Sequence, residues 1–254
     1  MGIYAISDIH GCYTEFMGVL EAAGFGDADE LYILGDIIDR GIDIDKCIQW
    51  CVDNAANMPG SNVHLLLGNH EWMAKTSLVD SWSSRMVEHD SWYSWMICGG
   101  RPTFDQLDRL DDDVIDMFQI IIEAAPAAKI VNTDTDKILL CHAGIRAPHK
   151  NADGAEWLVQ TEDDLLWIGS DWYKSKQVPP FQVVSGHVPV SSLACTPKLG
   201  YLCPKDVLLA GLDNHMMHWK NKHAIDCGCV FNGNMGLLRL NDWAEFYVPR
   251  SAYL

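Results

Sequence analysis

LYILGDIIDRG, from Leu31 to Gly41, is an apolar run that stops at Gly35 and Asp36 and then turns through Asp39, Arg40 and Gly41. Its first half has the length and composition of a buried strand, so the polar residues at its carboxyl end stand at the edge of a sheet. The same design recurs in IYAISDIHG (Ile3 to Gly11), HLLLGNHE (His64 to Glu71), ILLCHAG (Ile138 to Gly144) and FQVVSGH (Phe181 to His187). Open α/β sheets carry their chemistry at that edge.

Working outward, Tyr13 to Ala23 and Asp43 to Ala56 have helical spacing and connect the first three strands, which predicts a βαβαβ start with parallel pairing. Residues Glu71 to Ala125 carry no strand signal and read as a helical insertion covering one side of the site. Its tryptophans, Trp72, Trp82, Trp92 and Trp95, are spaced as core residues rather than as a platform for a nucleobase. In the last third, Val207 to Leu212, Ala224 to Asp226, Gly236 to Leu240 and Phe246 to Val248 read as antiparallel strands. Asp213-Asn214-His215 imitates the strand-end pattern but falls outside it, and with His218 and His223 reads as an inserted turn with solvated histidines. The acidic runs Asp111 to Asp113 and Glu162 to Asp164 read as solvated faces, the second also as a helix start. No linker or repeat divides the chain, so the expectation is one domain over residues 1–254, an α/β sandwich of two sheets.

The balance of 35 acidic to 18 basic residues gives a formal charge of −17. That charge argues against a nucleic-acid polymer or an anionic membrane as partner. Apolar runs are strand-sized and no signal-type segment opens the chain, so a cytoplasmic location is expected. Nine scattered cysteines without a CxxC pair read as buried free thiols in a reducing compartment.

The strand ends together supply Asp8, His10, Asp36, Asp39, Asn69, His70, His142 and His187. This mixed oxygen and nitrogen set, free of thiolates, suits Mn²⁺, Fe or Zn²⁺ in a catalytic rather than a structural site. Asp8 and His10 share one face of a strand and can meet one ion. Asp36 can bridge two ions through its two oxygens, and Asn69, His142 and His187 can hold the second. Two dications about 3.5–4 Å apart stabilise the attacking and leaving oxygens of an in-line displacement at phosphorus. Arg40 is the bidentate phosphate binder, with Asn69 and His70 also in reach of the phosphoryl group. His70 is read as the acid for the leaving group, and Asp39 as the residue that orients it and raises its pKa.

Asp8-Ile-His10-Gly11, Gly35-Asp36-Ile-Ile-Asp39-Arg40-Gly41 and Gly68-Asn69-His70-Glu71, in this order and spacing, resemble the signature of the phosphoprotein phosphatase family of calcineurin-like metallophosphoesterases. His142-Ala-Gly144, Gly186-His187 and Ile225-Asp226-Cys227-Gly228-Cys229-Val230-Phe231 extend the likeness over most of the chain. The compact bacterial and phage branch, with its lambda-phage-type protein phosphatases and symmetrical diadenosine tetraphosphate hydrolases, is nearest in size. The resemblance implies a four-layer α/β/β/α sandwich and manganese as the activating ion. It implies Asp8, His10 and Asp36 at the first metal, with Asp36, Asn69, His142 and His187 at the second.

Two departures stand out. Leu165-Leu166-Trp167-Ile168 is followed by Gly169 and Ser170 where the branch commonly has a second phosphate-binding arginine, and Arg101 and Arg146 are candidate substitutes. Asn232-Gly233-Asn234-Met235 stands where short members have two glycines and a lysine. The resulting expectation is a binuclear metal-dependent phosphoesterase acting by direct attack of a metal-bridging hydroxide. A phosphoserine- or phosphothreonine-type protein substrate comes first, a dinucleoside polyphosphate such as diadenosine tetraphosphate second. A metal-holding module without turnover is the non-enzymatic rival.

Overall fold

The computed structural model describes residues 1–149 and 154–251. One sheet joins β1 (Ile3–Ile6), β2 (Glu30–Ile33), β3 (Val63–Leu65), β9 (Asn234–Arg239) and β10 (Ala244–Pro249) in the order β10-β9-β1-β2-β3. The second joins β4 (Ala128–Asn132), β5 (Lys137–Cys141), β6 (Gln182–Ser185), β7 (Met217–Trp219) and β8 (Lys222–Ala224) in the order β4-β5-β6-β8-β7. Parallel pairing of β1 with β2 (Ile3 opposite Glu30) and of β2 with β3 (Leu31 opposite Val63) makes the expected start. The antiparallel β9–β10 hairpin then closes on β1. Both sheets are therefore mixed.

Ile3, Ala5, Tyr32, Leu34 and Leu66 of the first sheet meet Val131, Ile138, Leu140 and Val184 of the second in a core between the sheets. Helices cover the outer faces. Outside the first sheet lie α1 (Tyr13–Ala23), α2 (Ile44–Asp53), α3 (Asn69–Ser77), α4 (His89–Trp95), α5 (Arg101–Gln106) and α6 (Asp112–Ala124). On the second sheet lie α7 (Glu162–Trp167), α8 (Ser170–Lys174), α9 (Val190–Ala194) and α10 (Lys205–Leu212). In α2 the buried Ile44, Cys47, Ile48 and Cys51 recur at i, i+3, i+4 and i+7, the stripe that docks an amphipathic helix. Each fully buried side chain of Ile size contributes about 1.5–3 kcal/mol, which offsets the weak propensity of so short a helix. The four-layer α/β/β/α sandwich and the helical insertion after β3 match the expectation.

Several local readings are corrected. Val207 to Leu212 lies in α10, not in a strand. A short apolar run of Leu and Ala after a proline fits either period, and Leu209 and Leu212 stay half-exposed on the helix. Ala224 pairs parallel to β6 as well as antiparallel to β7, so this part of the chain is not purely antiparallel. Edge strands β4 and β7 escaped notice because β4 is mostly exposed and β7 has three residues. His223 is buried and stacked on Trp243, with Nδ1 2.6 Å from His218 Nδ1, so it is not a solvated loop histidine. Asp164 is buried against Arg146 and Thr161 instead of facing water. Trp82 and Trp95 are fully buried, as core tryptophans are expected to be. Among the described residues every cysteine is free, and no helix is long and apolar enough to cross a membrane.

Candidate metal centre

All the strand-end residues converge at the carboxyl edge of the two sheets. Asp8 and His10 follow β1, Asp36, Asp39 and Arg40 follow β2, Asn69 and His70 open α3 after β3, and His142 and His187 follow β5 and β6. The backbone pays for this convergence with unusual turns: Asp8, His10, Asp36, Asp39, Arg40 and His187 all have φ between 44° and 72°. For residues with a side chain that conformation costs of order 1–3 kcal/mol each and persists only where the surroundings over-determine it. Gly186 lets the two sheet edges close up, since a Cβ there would run into Ser7 Oγ and Asp8 Oδ2.

Asp36 is the centre of the arrangement. Its Oδ2 lies 3.5 Å from His10 Nε2, 3.4 Å from His142 Nε2 and 3.9 Å from His70 Nε2, while its Oδ1 accepts the His70 backbone N–H at 3.0 Å. Two sets of ligand atoms share this carboxylate: His10, Asp36 and His70 on one side, and Asp36, His142 and His187 on the other. Asn69 Oδ1 joins the second set, 2.8 Å from His142 Nε2 and 2.9 Å from His187 Nδ1. Asp8 adjoins the sets and is in neither: its Oδ2 accepts the His187 backbone N–H at 2.9 Å and the Ser7 hydroxyl.

The donor set fits divalent cations. His10 Nδ1 donates to the Ile38 carbonyl at 2.7 Å and His142 Nδ1 to the Leu34 carbonyl at 2.8 Å, which turns both Nε2 lone pairs into the site. Burial holds His10 and His142 below the usual imidazole range and takes His187 down to about 3, so all three are neutral, as ligation requires. Burial, then Glu71 and Asp8, pushes Asp36 well above the usual carboxylate range. Asp8, Asp36, Asp39, Glu71 and Asp226 are all buried here, and the field of a single arginine, Arg40, reaches Asp36, Asp39 and Asp226. Buried carboxylates in such excess need further positive charge.

Arg40 spans the first set. Nη1 donates to His10 Nε2 and Nη2 to His70 Nε2 at 2.7 Å. His70 Nδ1 donates to Asp39 Oδ2 at 2.6 Å, so His70 is the neutral tautomer with its Nε2 lone pair toward Arg40. Burial, then Arg40 and His142, holds His70 well below the usual imidazole range, the direction opposite to the one expected from Asp39 alone. Asp39 is pushed up to about 7 by burial, against the pull of Thr103, Trp95 and Arg40.

Sequence reasoning assigned no role to three supporting residues. Glu71 accepts backbone N–H groups from Asp36 (2.7 Å), Ile37 (2.8 Å), Ile38 (3.3 Å) and Gly68 (3.1 Å), and so shapes the turn after β2. Trp95 Nε1 donates to Asp39 Oδ2 at 2.7 Å and the Thr103 hydroxyl donates to Oδ1, which anchors the helical insertion to the site. Glu71 adjoins the Asn69-His70 pair in sequence and was legible there as a buried acid. Trp95 and Thr103 gave no signal of their own. Of the candidate substitutes for the absent arginine, Arg146 pairs with Asp164 at 2.6 Å and Arg101 with Asp105 at 2.7 Å.

The family model for calcineurin-like phosphoesterases matches residues 1–226, and the chain belongs to that family. A Nitrosomonas europaea protein named symmetrical bis(5'-nucleosyl)-tetraphosphatase is 22% identical over 98% of both chains. A Haemophilus ducreyi protein of the same name is 35% identical over 80 residues, 31% of this chain and 28% of that one. The chain thus spans little more than a quarter of the length of this second relative. Among solved structures, one of a candidate diadenosine tetraphosphatase superposes with a TM-score of 0.58 at 16% identity, covering 99% of this chain and 95% of that one. A Saccharomyces cerevisiae protein serine/threonine phosphatase similar to human PP5 gives 0.54 at 14% identity, covering 100% and 81%. Both likenesses are of fold.

Proposed function

We propose that the chain is a metal-dependent phosphoesterase whose substrate is a dinucleoside polyphosphate of the diadenosine tetraphosphate kind. The observation that carries the reaction class is the single Asp36 carboxylate shared by two sets of ligand atoms with Arg40 alongside. The substrate class rests on the name of the full-length relative. That name supports the dinucleotide over the phosphoprotein, the reverse of the order read from sequence.

His10, Asp36, Asn69, His142 and His187 would hold two divalent ions, with Mn²⁺ as the proposed pair, and Asp8 would support them through His187. When bound, such a pair supplies Lewis acidity toward phosphoryl oxygens and makes water a nucleophile near neutral pH. The chain's own residues do the rest. Arg40 turns its two Nη groups from the imidazoles to two non-bridging oxygens, a bidentate fit of fork to phosphate. Release of that contact frees His70 Nε2, and the Asp39 carboxylate then favours a proton on it for delivery to the leaving oxygen. Trp95 and Thr103 keep Asp39 from swinging away.

Incubation of the protein with Mn²⁺ and diadenosine tetraphosphate, followed by separation of nucleotides, tests this reading. Symmetrical scission leaves ADP as the sole nucleotide product. Phosphate released from a phosphoserine peptide, with the dinucleotide untouched, would transfer the assignment to a protein phosphatase.

A further inference from the structure

Three of the chain's seven arginines, Arg40, Arg101 and Arg109, line one depression of about 320 Å³. In a chain of net charge −17 this is a local reversal of sign. At one end is Arg40, whose guanidinium reaches His10 and His70 and so links the depression to the metal centre. Its outer wall is brought in by the segment before α5. The Arg40 backbone N–H donates to the Gly99 carbonyl at 3.0 Å, and a Cβ on Gly99 (φ +108°) would meet Arg40 Cγ at 2.9 Å. The glycine therefore lets the chain lie against the arginine stem and deliver Arg101 to the same wall.

Arg101 Nε donates to both carboxylate oxygens of Asp105, at 2.7 and 2.8 Å, and Arg109 lies 3.5 Å from Asp45. The Arg101 and Asp105 side chains are 72% and 51% exposed, and ion pairs so open to water are weak enough for a polyanion to displace. A chain of phosphates that starts at Arg40 can run along this depression toward Arg101 and Arg109.

We infer that Arg101, with Arg109 behind it, is a specificity-determining anion subsite for the phosphates of a linear polyphosphate beyond the one held by Arg40. This rests on the proposed reading of Arg40 as phosphate binder. It also supplies a substitute for the arginine absent after Trp167, at a different place in the fold.

Calorimetric titration of the Mn²⁺-loaded protein with inorganic tripolyphosphate and, separately, with orthophosphate tests the subsite. Metal is held at the same concentration for every protein, so chelation cancels in the comparison. In Arg101→Ala the dissociation constant for tripolyphosphate should rise about tenfold and that for orthophosphate less than twofold, and Arg101→Lys should recover part of the loss. Asp105→Asn, which frees Arg101, should tighten tripolyphosphate two- to fivefold. Equal changes for both anions, no change for either, or no tripolyphosphate binding by the parent protein would overturn the subsite. Failure of the parent protein to cleave diadenosine tetraphosphate, with the tripolyphosphate preference intact and lost in Arg101→Ala, would sink the proposed substrate alone.

Discussion

Nδ1 of His70 lies 2.6 Å from Oδ2 of Asp39, and the two side chains are 1% and 0% exposed. With Trp95 and Thr103 filling the other lone pairs of the carboxylate, the imidazole has one orientation, and its Nε2 faces the metal-ligand atoms. That Nε2 can serve either as a proton carrier or as a third ligand beside His10 and Asp36, and the two roles predict different variants.

As a proton carrier, His70 is needed in proportion to the basicity of the leaving group. His70→Asn should keep its full metal content and lose about 10²–10⁴-fold in rate on alkyl phosphates. The loss should be smaller on diadenosine tetraphosphate, whose leaving group is a nucleoside diphosphate. Metal content by atomic absorption beside the kinetics decides it: one ion lost in the variant would make His70 a ligand.

Arg40 joins function to strain. At φ 67° any side chain with a Cβ is disfavoured, so Arg40→Gly should be about 1 kcal/mol more stable than Arg40→Ala in urea denaturation, although the two lack the same guanidinium. Both variants should bind orthophosphate at least tenfold more weakly. Equal stabilities would mean that the turn relaxes once the side chain is gone.

Glu71 is the mould for the turn that presents Asp36. Glu71→Ala leaves four buried N–H groups without their acceptor and should cost about 2–4 kcal/mol. Metal affinity should fall with it, through Asp36, even though the bonds of Glu71 to the turn run to backbone N–H groups. Full affinity in the variant, measured by metal titration, would show the turn to be self-supporting.

Lys222 makes a prediction in pH. Its buried Nζ donates to the Trp172 and Ser175 carbonyls at 2.8 and 2.9 Å and lies 4.0 Å from the Trp172 ring centroid, yet burial, then Lys220, lowers its pKa to about 7. An unfolded lysine keeps its proton to about pH 10.4, so between about 7 and 10.4 the unfolded state binds the extra proton and stability rises with pH, by at most about 1.4 kcal/mol per unit. The stability of the parent relative to Lys222→Met should therefore rise from pH 7 to pH 9. A flat difference would mean that the carbonyls and the indole face keep Lys222 charged throughout.

What was legible in the sequence follows from how local each signal is. Asp8, His10, Asp36, Asn69, His142 and His187 end short apolar runs, and a strand followed by an abrupt polar turn is written in consecutive residues. The convergence of those ends needs only parallel strands, which the helices between them impose. Trp95 and Thr103 were illegible as site residues because their link to Asp39 spans 56 and 64 positions of chain. The lowering of the His70 pKa was illegible for a related reason: Asp39 was visible as a neighbour, whereas burial and the return of Arg40 onto Nε2 exist only in three dimensions. The helix over Lys205–Leu212 was mistaken for a strand because its apolar residues are consecutive and none of Val207, Leu208, Leu209, Ala210 and Leu212 is fully buried, a pattern with no period to read.

The proposed function requires one carboxylate, Asp36, to sit between two cations. Anomalous diffraction from crystals of the protein grown with Mn²⁺ tests it most directly. Two peaks should appear on either side of Asp36, one toward His10 and one toward His142 and His187, and both should vanish in Asp36→Asn. A single peak, or two peaks that persist in the variant, would rule out Asp36 as the shared ligand.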